Sequence, residues 1–340
     1  MRIFIAPLNW GLGHATRCVP LIERYRQEGH EVILGGDGES LVWLKRRFPT
    51  LRLEELARLD VRYSASRSQV GAMLRMLPAF IRFIRADRYL IRSLQNKYCF
   101  DLIISDNRFG LYLPRTENRK PKTVYLTHQL QVRLPRCWRW AEPLARRIHA
   151  RFYSRYDEVW VPDYEEHATS LAGWLSHPRK LPRNTRYIGP LSRFSSYQSE
   201  ADNLTFDLSL STFDFRLLTN IPFSIVALLS GPEPQRSLLE RTIIRRYEGQ
   251  TERVLIVRGQ MYGPLTRTTH GNITLVPRLD DDALTDALQR CRTIIARSGY
   301  TTVMDLHALG LLDKAELIPT PGQSEQEYLK KWLQERKKQK

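Results

Sequence analysis

The stretch Ile294-Ile295-Ala296-Arg297-Ser298-Gly299-Tyr300-Thr301-Thr302-Val303-Met304-Asp305-Leu306 carries the fold in miniature. A short apolar run, 293–296, reads as a buried strand. A turn of small residues follows, and the pattern then becomes that of a helix over 301–309. Such a strand-to-helix turn, repeated along a chain, builds a parallel sheet with helices on its faces. Ligands of these sheets bind outside the carboxyl ends of the strands. Asp305 lies about one turn into the helix, where its carboxylate can accept two hydrogen bonds from a ribose diol. Ser298, Gly299, Thr301 and Thr302 can offer amides and hydroxyls to a phosphate. An acid in the first turns of a helix equally serves the helix dipole, so the position alone does not decide its use.

The same unit recurs on both sides of this stretch. Downstream, Pro319-Thr320-Pro321-Gly322-Gln323-Ser324-Glu325-Gln326 joins a strand at 317–319 to a terminal helix at 324–338. Gln323, Glu325 and Gln326 supply donors and acceptors suited to sugar hydroxyls. Upstream, Ser230-Gly231-Pro232-Glu233-Pro234-Gln235-Arg236 links a strand at 223–229 to a helix ending near 246. It lacks the spacing of a P-loop. Gly231 can still admit a diphosphate to the amides, with Arg236 as a bidentate partner, or the segment is an ordinary turn. Strands at 253–258 and 273–276 and a helix at 281–290 complete this half.

The chain begins the same way. Residues 2–8 form a strand, and Asn9-Trp10-Gly11-Leu12-Gly13-His14 turns into a helix that runs to Gln27. Gly11 and Gly13 allow close backbone approach, although glycines here also make a simple tight connection. His14 stands at the helix entrance as the candidate general base, or as a polar contact or cap. Asn9 and Arg17 share its neighbourhood, and Cys18 and Val19 read as core. Asp106, ending the strand 101–105, is the second candidate base or a strand-end turn acid. Strands are expected at 31–35, 52–56, 123–127 and 158–161, with a helix over 40–48. The polar segment 192–220 reads as a linker or irregular insertion. Three parts follow: residues 1–191, the linker 192–220, and residues 221–340.

Composition sets the outer bounds. The 340 residues suit two domains, and 42% hydrophobic content suffices for ordinary cores. No apolar run is long enough to span a membrane, and the start is too quickly polar for a signal peptide. The four cysteines are scattered, which suggests neither a zinc site nor a disulfide scaffold, and fits a reduced, cytoplasmic protein. The net charge of +17 favours anionic partners. Between Val61 and Lys97, eight basic residues and a single acid, Asp87, alternate with apolar ones. Pro78 is expected to break or kink the helices there. The segment suits the inner face of an acidic membrane, or a helix pair whose apolar side lies in the core. No helix-turn-helix, zinc finger or aromatic RNA-binding signature is present, so nucleic acid is not the expected partner.

Together these motifs resemble the GT-B glycosyltransferases, two Rossmann-like domains facing each other across a cleft. Within them they resemble the family 28 group, which includes the bacterial enzyme adding N-acetylglucosamine to the lipid-linked peptidoglycan precursor. The likeness rests on Gly11–Arg17, Arg297–Leu306 and Pro319–Gln326, covers both halves, and is best between Ile294 and Tyr328. It implies an N-terminal acceptor domain and a C-terminal domain binding a nucleotide sugar, commonly UDP-linked. It further implies inverting transfer without a bound metal or other cofactor, and a last helix crossing back to the N-terminal domain. By the same resemblance Asp305 would hold the ribose, and Gly231, Arg236 and Ser298, Gly299, Tyr300, Thr301 and Thr302 would surround the diphosphate. Gln323 and Gln326 would meet the donor sugar. Asn9, Gly11, Gly13 and Arg17 would form the acceptor-side loop around His14. The acceptor would be a lipid-linked or cell-envelope glycan. The sequence departs from the pattern in having fewer glycines before Gly13, aspartate at 305 in place of glutamate, and a longer link over Gly310–Glu316. A nucleotide-sugar epimerase of related architecture and a non-catalytic binder of nucleic acid or anionic membrane are the competing readings.

Overall fold

A computed structural model describes residues 1–59, 69–114, 120–195, 223–231 and 233–338, with the backbone alone for 69–76. The first sheet contains β1 (Arg2–Pro7), β2 (Glu31–Gly36), β3 (Arg52–Glu55), β4 (Leu102–Asp106), β5 (Lys122–Leu126), β6 (Glu158–Val161) and β7 (Thr185–Tyr187). Their order is β3-β2-β1-β4-β5-β6-β7, and every pairing is parallel. The inner strands β1, β2, β4, β5 and β6 are near-continuous apolar runs because both faces are covered, while the edge strands β3 and β7 are polar and only partly buried. In β1, Ile3 and Ile5 join one core cluster while Phe4 and Ala6 join another on the opposite face.

The second sheet has the order β10-β11-β9-β8-β12-β13. It is built from β8 (Ile225–Leu228), β9 (Val254–Val257), β10 (Thr268–His270), β11 (Ile273–Val276), β12 (Thr293–Ala296) and β13 (Ala315–Leu317). Only the β10–β11 hairpin is antiparallel. Each sheet reverses its winding direction once, between β1 and β4 in the first and between β8 and β12 in the second. These are the switch points where open α/β sheets leave a crevice.

The helices are α1 (Gly13–Arg17), α2 (Val19–Gln27), α3 (Gly38–Arg47), α4 (Gln69–Tyr98), α5 (Glu142–Tyr153), α6 (Gln235–Tyr247), α7 (Asp281–Arg290), α8 (Tyr300–Ala308) and α9 (Ser324–Lys337). The start of α7 shows how local sequence fixes a boundary. Asp280 accepts the amide of Ala283 at 2.8 Å, and Asp281 and Asp282 occupy the first turn.

Several expectations need correction. The helix expected to run from His14 to Gln27 is two, divided at Cys18. Pro78 does not end a helix, because α4 runs through it as one element. The bond lost at Pro78 is offset by packing of Phe83, Ile84, Ile91 and Leu94 into the cores below. The strand expected at 317–319 lies at 315–317. Helix α5 and strand β10 were not expected at all. Most of the linker, 196–220, and the part of the basic segment at 61–68 lie outside the described residues.

The terminal helix α9 returns to the first domain. Leu329 and Leu333 enter the cluster that holds Leu171, Ala172 and Leu175, together with Tyr300, Val303 and Met304 of α8. The indole of Trp332 donates to the carbonyl of Ser170 at 3.1 Å, and Arg336 to the same carbonyl at 2.6 Å. Gly173, at φ 53°, lets the ring of Trp332 approach; a Cβ there would lie 2.6 Å from it.

Candidate active site

The loop after β1 and the loops after β8 and β12 meet face to face. A Cβ on Gly11 would sit 3.9 Å from the Cα of Gly231. The hydroxyl of Thr301 donates to the carbonyl of Gly13 at 3.1 Å. A Cβ on Gly13 would come within 2.9 Å of that hydroxyl, so a larger residue would have to displace the Thr301 side chain. The two switch points therefore open toward each other. Two surface hollows, one near Arg26 and Arg52 and one near Ser224 and Arg292, lie at the opposite, amino ends of the sheets.

His14 stands at the start of α1, 16% of its side chain exposed, with Nδ1 3.0 Å from Oδ1 of Asp106. Asp106 closes β4, adjacent to β1, which places it directly behind the loop. Both oxygens of Asp106 also receive Arg17, through Nε at 2.6 Å and through Nη2. Burial alone would raise the Asp106 carboxyl, but Arg17 and His14 hold it down at about 2. Since an ionised carboxylate only accepts, His14 donates from Nδ1 and leaves Nε2 as a lone-pair acceptor. Burial lowers the pKa of His14 despite its carboxylate neighbour, so the ring is neutral near pH 7. This is the state a general base requires.

The pillar behind His14 continues into the second domain. Arg17 Nη1 donates to Nδ1 of His128 at 3.3 Å, and His128 Nε2 donates to Glu325 at 2.8 Å. His128 stacks on Tyr300 with centroids 4.2 Å apart, and the Tyr300 hydroxyl donates to the carbonyl of Pro162 at 2.7 Å. Burial opposes ionisation of Glu325, but His128, His14 and Arg17 together lower its pKa. A continuous polar chain thus runs from α9 through the loop after β5 and α1 to β4.

Two expected roles change with this geometry. Arg17 is only 1% exposed and is spent on Asp106 and His128, so it is an internal strut and not a face of the acceptor loop. Asp106 is wholly buried, so it positions His14 and is not itself placed to take a proton from an acceptor. Asn9 is engaged at the start of α3, accepting the amide and hydroxyl of Ser40 and donating to Asp37 at 3.3 Å. Asp37 in turn joins a buried cluster, at 2.7 Å from Arg108, whose guanidinium also grips Asp87. This cluster fixes α3, α4 and the end of β4 to one another.

The donor-side residues fall into three groups. Ser298 is buried with its hydroxyl on the carbonyl of Gln326 at 2.8 Å, and Gln326 accepts the amide of Thr320 at 2.8 Å and donates to Gln323. These contacts brace the two loops against each other. Gly299 opens α8 beside them, a Cβ there lying 4.0 Å from Gln326 Nε2, and Thr302 is half-buried one residue past Thr301. Tyr300, expected at the diphosphate, is instead the interdomain pillar. Arg236 donates to Glu233 at 3.0 Å and reaches the carbonyl of Gly259 at 3.4 Å, apart from the α8 cluster. Asp305 accepts Ser192 at 2.7 Å and lies 3.6 Å from Arg193, which also pairs with Asp281. Burial pushes Asp305 up to about 6, against the pull of Arg193 and Ser192. The segment after Ile188 thus occupies the carboxylate expected to hold ribose.

One group was overlooked. Arg297, at the carboxyl end of β12, is 4% exposed and has no carboxylate within salt-bridge distance among the described residues. It donates to the carbonyls of Pro319 and Gln235 at 3.0 and 2.8 Å, while its Nε has no partner. Burial lowers it to about 10. A buried guanidinium without a counter-charge, between the starts of α6 and α8, favours an incoming anion. His128 was also missed, although it lies just past the apolar strand at 122–126, where ligands gather. Among the described residues no group of three or more His, Cys, Asp or Glu side chains could hold a metal.

Comparisons with known proteins agree on the architecture. No family model matches the chain. An uncharacterized glycosyltransferase of Methanosarcina acetivorans is 26% identical over 225 residues, 62% of this chain and 55% of that one. The chain thus spans about half the length of the curated relative it matches. Among solved structures, the calicheamicin glycosyltransferase CalG4 superposes with a TM-score of 0.55 at 11% identity, over 96% of this chain and 82% of that one. The spinosyn rhamnosyltransferase SpnG gives 0.54 at 15% identity, over 95% and 82%. A Listeria monocytogenes protein assigned as a UDP-N-acetylglucosamine 2-epimerase gives 0.53 at 12% identity, over 99% and 88%. The fold is GT-B: two Rossmann-like domains facing across a cleft. The likenesses run across several GT-B families and single none of them out.

Proposed function

We propose that this chain is an inverting, metal-independent glycosyltransferase. It would move a hexosyl or N-acetylhexosaminyl group from a nucleotide sugar, UDP-linked by the family 28 resemblance, to a lipid-linked or cell-envelope glycan. The reading rests on one juxtaposition. A neutral histidine backed by a buried carboxylate stands on one switch-point loop, and the loop facing it, in direct contact, carries an uncompensated buried cation.

Each part has a task in displacement at an anomeric carbon. Nε2 of His14 takes the proton of the acceptor hydroxyl as the new C–O bond forms. The bond from the anomeric carbon to the diphosphate breaks, and its electron pair leaves with the phosphate oxygen. Asp106 holds the imidazole in the required tautomer and stabilises the imidazolium that forms. The amides at the starts of α6 and α8, with Arg297 beneath them, stabilise the departing negative charge. Asp305 would meet the ribose after exchanging Ser192 and Arg193 for the diol.

A thermal-shift series with UDP, GDP, TDP and CDP sugars tests the donor site before an acceptor is known. Stabilisation by one nucleotide class, lost in Arg297→Met, supports the reading. Indifference to all of them removes it. Product analysis of a hit then separates transfer from epimerisation: an altered sugar configuration with no acceptor would favour the epimerase.

A further inference from the structure

We propose that Arg88, Tyr112 and Arg155 form a second anion site, which binds the phosphate group of a soluble ligand apart from the catalytic cleft. Arg88 of α4 and Arg155, just past the end of α5, come to Tyr112 from separate elements. Their guanidinium carbons lie 4.5 and 5.3 Å from the centroid of its ring. Both also donate to its hydroxyl, Arg88 at 2.5 Å and Arg155 at 2.8 Å. Two N–H groups thus fill the lone pairs of one phenol oxygen, which leaves its hydrogen as a further donor. The Nε of Arg88 is another, enclosed and without a partner. A buried donor with no acceptor is costly, and here an incoming acceptor would relieve it.

Packing holds the two cations together. Tyr112 is buried in the core with Tyr125, Tyr153 and Tyr156. Tyr156, the residue after Arg155, meets its ring edge-on at 5.7 Å. On the other side α4 lies tight against the loop after β4. A Cβ on Gly110 would come 2.5 Å from the carbonyl oxygen of Ile84 and 2.6 Å from the Cβ of Asp87. The acids that could neutralise the pair are spent elsewhere. Asp87 is 2.7 Å from Arg108, and Asp157 is 2.6 Å from Lys120 and accepts the amide of Thr123. Among the described residues neither guanidinium has a carboxylate within salt-bridge distance. Two like charges are therefore preorganised around one oxygen with no counter-charge. A phosphate dianion balances both, and its tetrahedral oxygens can accept from two guanidinium forks and a phenol at once. A carboxylate, with one charge in one plane, would satisfy a single fork. Arg155 stands just before β6, at the amino ends of the strands, whereas His14 and Asp106 lie at their carboxyl ends. The site is thus separate from the one that would hold a nucleotide sugar.

The test is calorimetric titration of the full chain with inorganic phosphate, and with acetate at equal ionic strength, in a buffer free of phosphate. Three variants accompany it: Arg88→Gln with Arg155→Gln, Arg155→Gln alone at its exposed position, and Arg297→Met. The expected result is binding of phosphate and not of acetate by the unaltered chain. That binding should persist in Arg297→Met and weaken at least about tenfold in both of the other variants. In the absence of phosphate, Arg155→Gln should melt no lower than the parent, since it removes a like-charge contact. Four results would overturn the proposal: no binding by the unaltered chain, binding at its level by the paired variant, loss of binding in Arg297→Met alone, or a response to vesicles carrying phosphatidic acid with none to free phosphate. A lower melting temperature of Arg155→Gln with unchanged phosphate affinity would reduce the pair to a cover over Tyr112. None of these readouts involves a nucleotide sugar, and Arg297→Met separates this site from the proposed diphosphate site, so this proposal and the transferase reading stand or fall separately.

Discussion

At the residue scale, His14, Asp106 and Asp305 make opposite demands on charge. Replacing His14 by Ala removes the proposed base but leaves the donor loops intact. Turnover should fall by roughly 10²–10⁴ while nucleotide binding by calorimetry is unchanged. Because burial holds the pKa of His14 below its ordinary value, the acid limb of the rate profile should lie below that of an exposed histidine. Asp106→Asn leaves Arg17 buried beside a neutral partner and should cost on the order of 3–5 kcal/mol in denaturant unfolding. Its linkage follows from a folded value of about 2, below the ordinary 3.8. The stabilisation is complete above the unfolded pKa and is lost as pH falls from near 4 toward 2. Asp305 behaves inversely, at about 6 against 3.8. Between those values the folded state binds the extra proton, so stability declines as pH rises through the window. Asp305→Asn should therefore melt higher than the parent at pH 7 and equally at pH 3.5, while nucleotide affinity falls at least about tenfold through loss of the proposed ribose contact. A variant that melts lower at pH 7 would show that Arg193 and Ser192 outweigh the cost of burial. The sequence placed His14 and Asp106 near strand ends but could not tell a base from its support. That distinction depends on which group is wholly enclosed, and enclosure comes from β4 lying beside β1.

At the scale of elements, the glycines show which approaches the fold depends on. A methyl on Gly13 would meet the Thr301 side chain at 2.9 Å from Oγ1 and 3.1 Å from Cβ. Gly13→Ala should push α1 away from α8 and lower turnover more than it lowers stability, and Thr301→Ala added to it should restore part of the loss. A cycle showing simple additivity would deny that the two helices touch through this pair. Most strands were legible because two-sided burial in a parallel sheet writes them as unbroken apolar runs, as in Ile3–Ala6 and Leu102–Ile104. Helix α5 was not legible for the converse reason. Its buried side is made of His149, Phe152 and Tyr153, while Leu144 and Ile148 face out, so hydrophobic periodicity points the wrong way. Pro78 misled because the penalty for a proline within a helix is local, whereas the packing of α4 is distributed along its later turns.

At the scale of the whole molecule, the two domains share a core. The cluster containing Ile3, Ile5 and Leu126 of the first sheet also contains Tyr300, Val303 and Met304 of α8 and Leu329 and Leu333 of α9. Domain boundaries read from composition therefore mark where the chain crosses, not where packing ends. Such sharing makes the domains cooperative: unfolding either one exposes apolar surface of the other. Scanning calorimetry should give a single transition, although the chain has the length of two domains. The joint can be weakened without touching either sheet. Trp332 packs on Gly173 and donates to Ser170 across the boundary, so Trp332→Ala should cost on the order of 3 kcal/mol and fall mainly on the coupling between domains. The single transition should then separate into two, and a nucleotide held at a hundred times its dissociation constant should raise the C-terminal one by about 2.7 kcal/mol. A Trp332→Ala protein that still melts in one step, merely at lower temperature, would mean that α8 in the shared cluster couples the domains without help from α9.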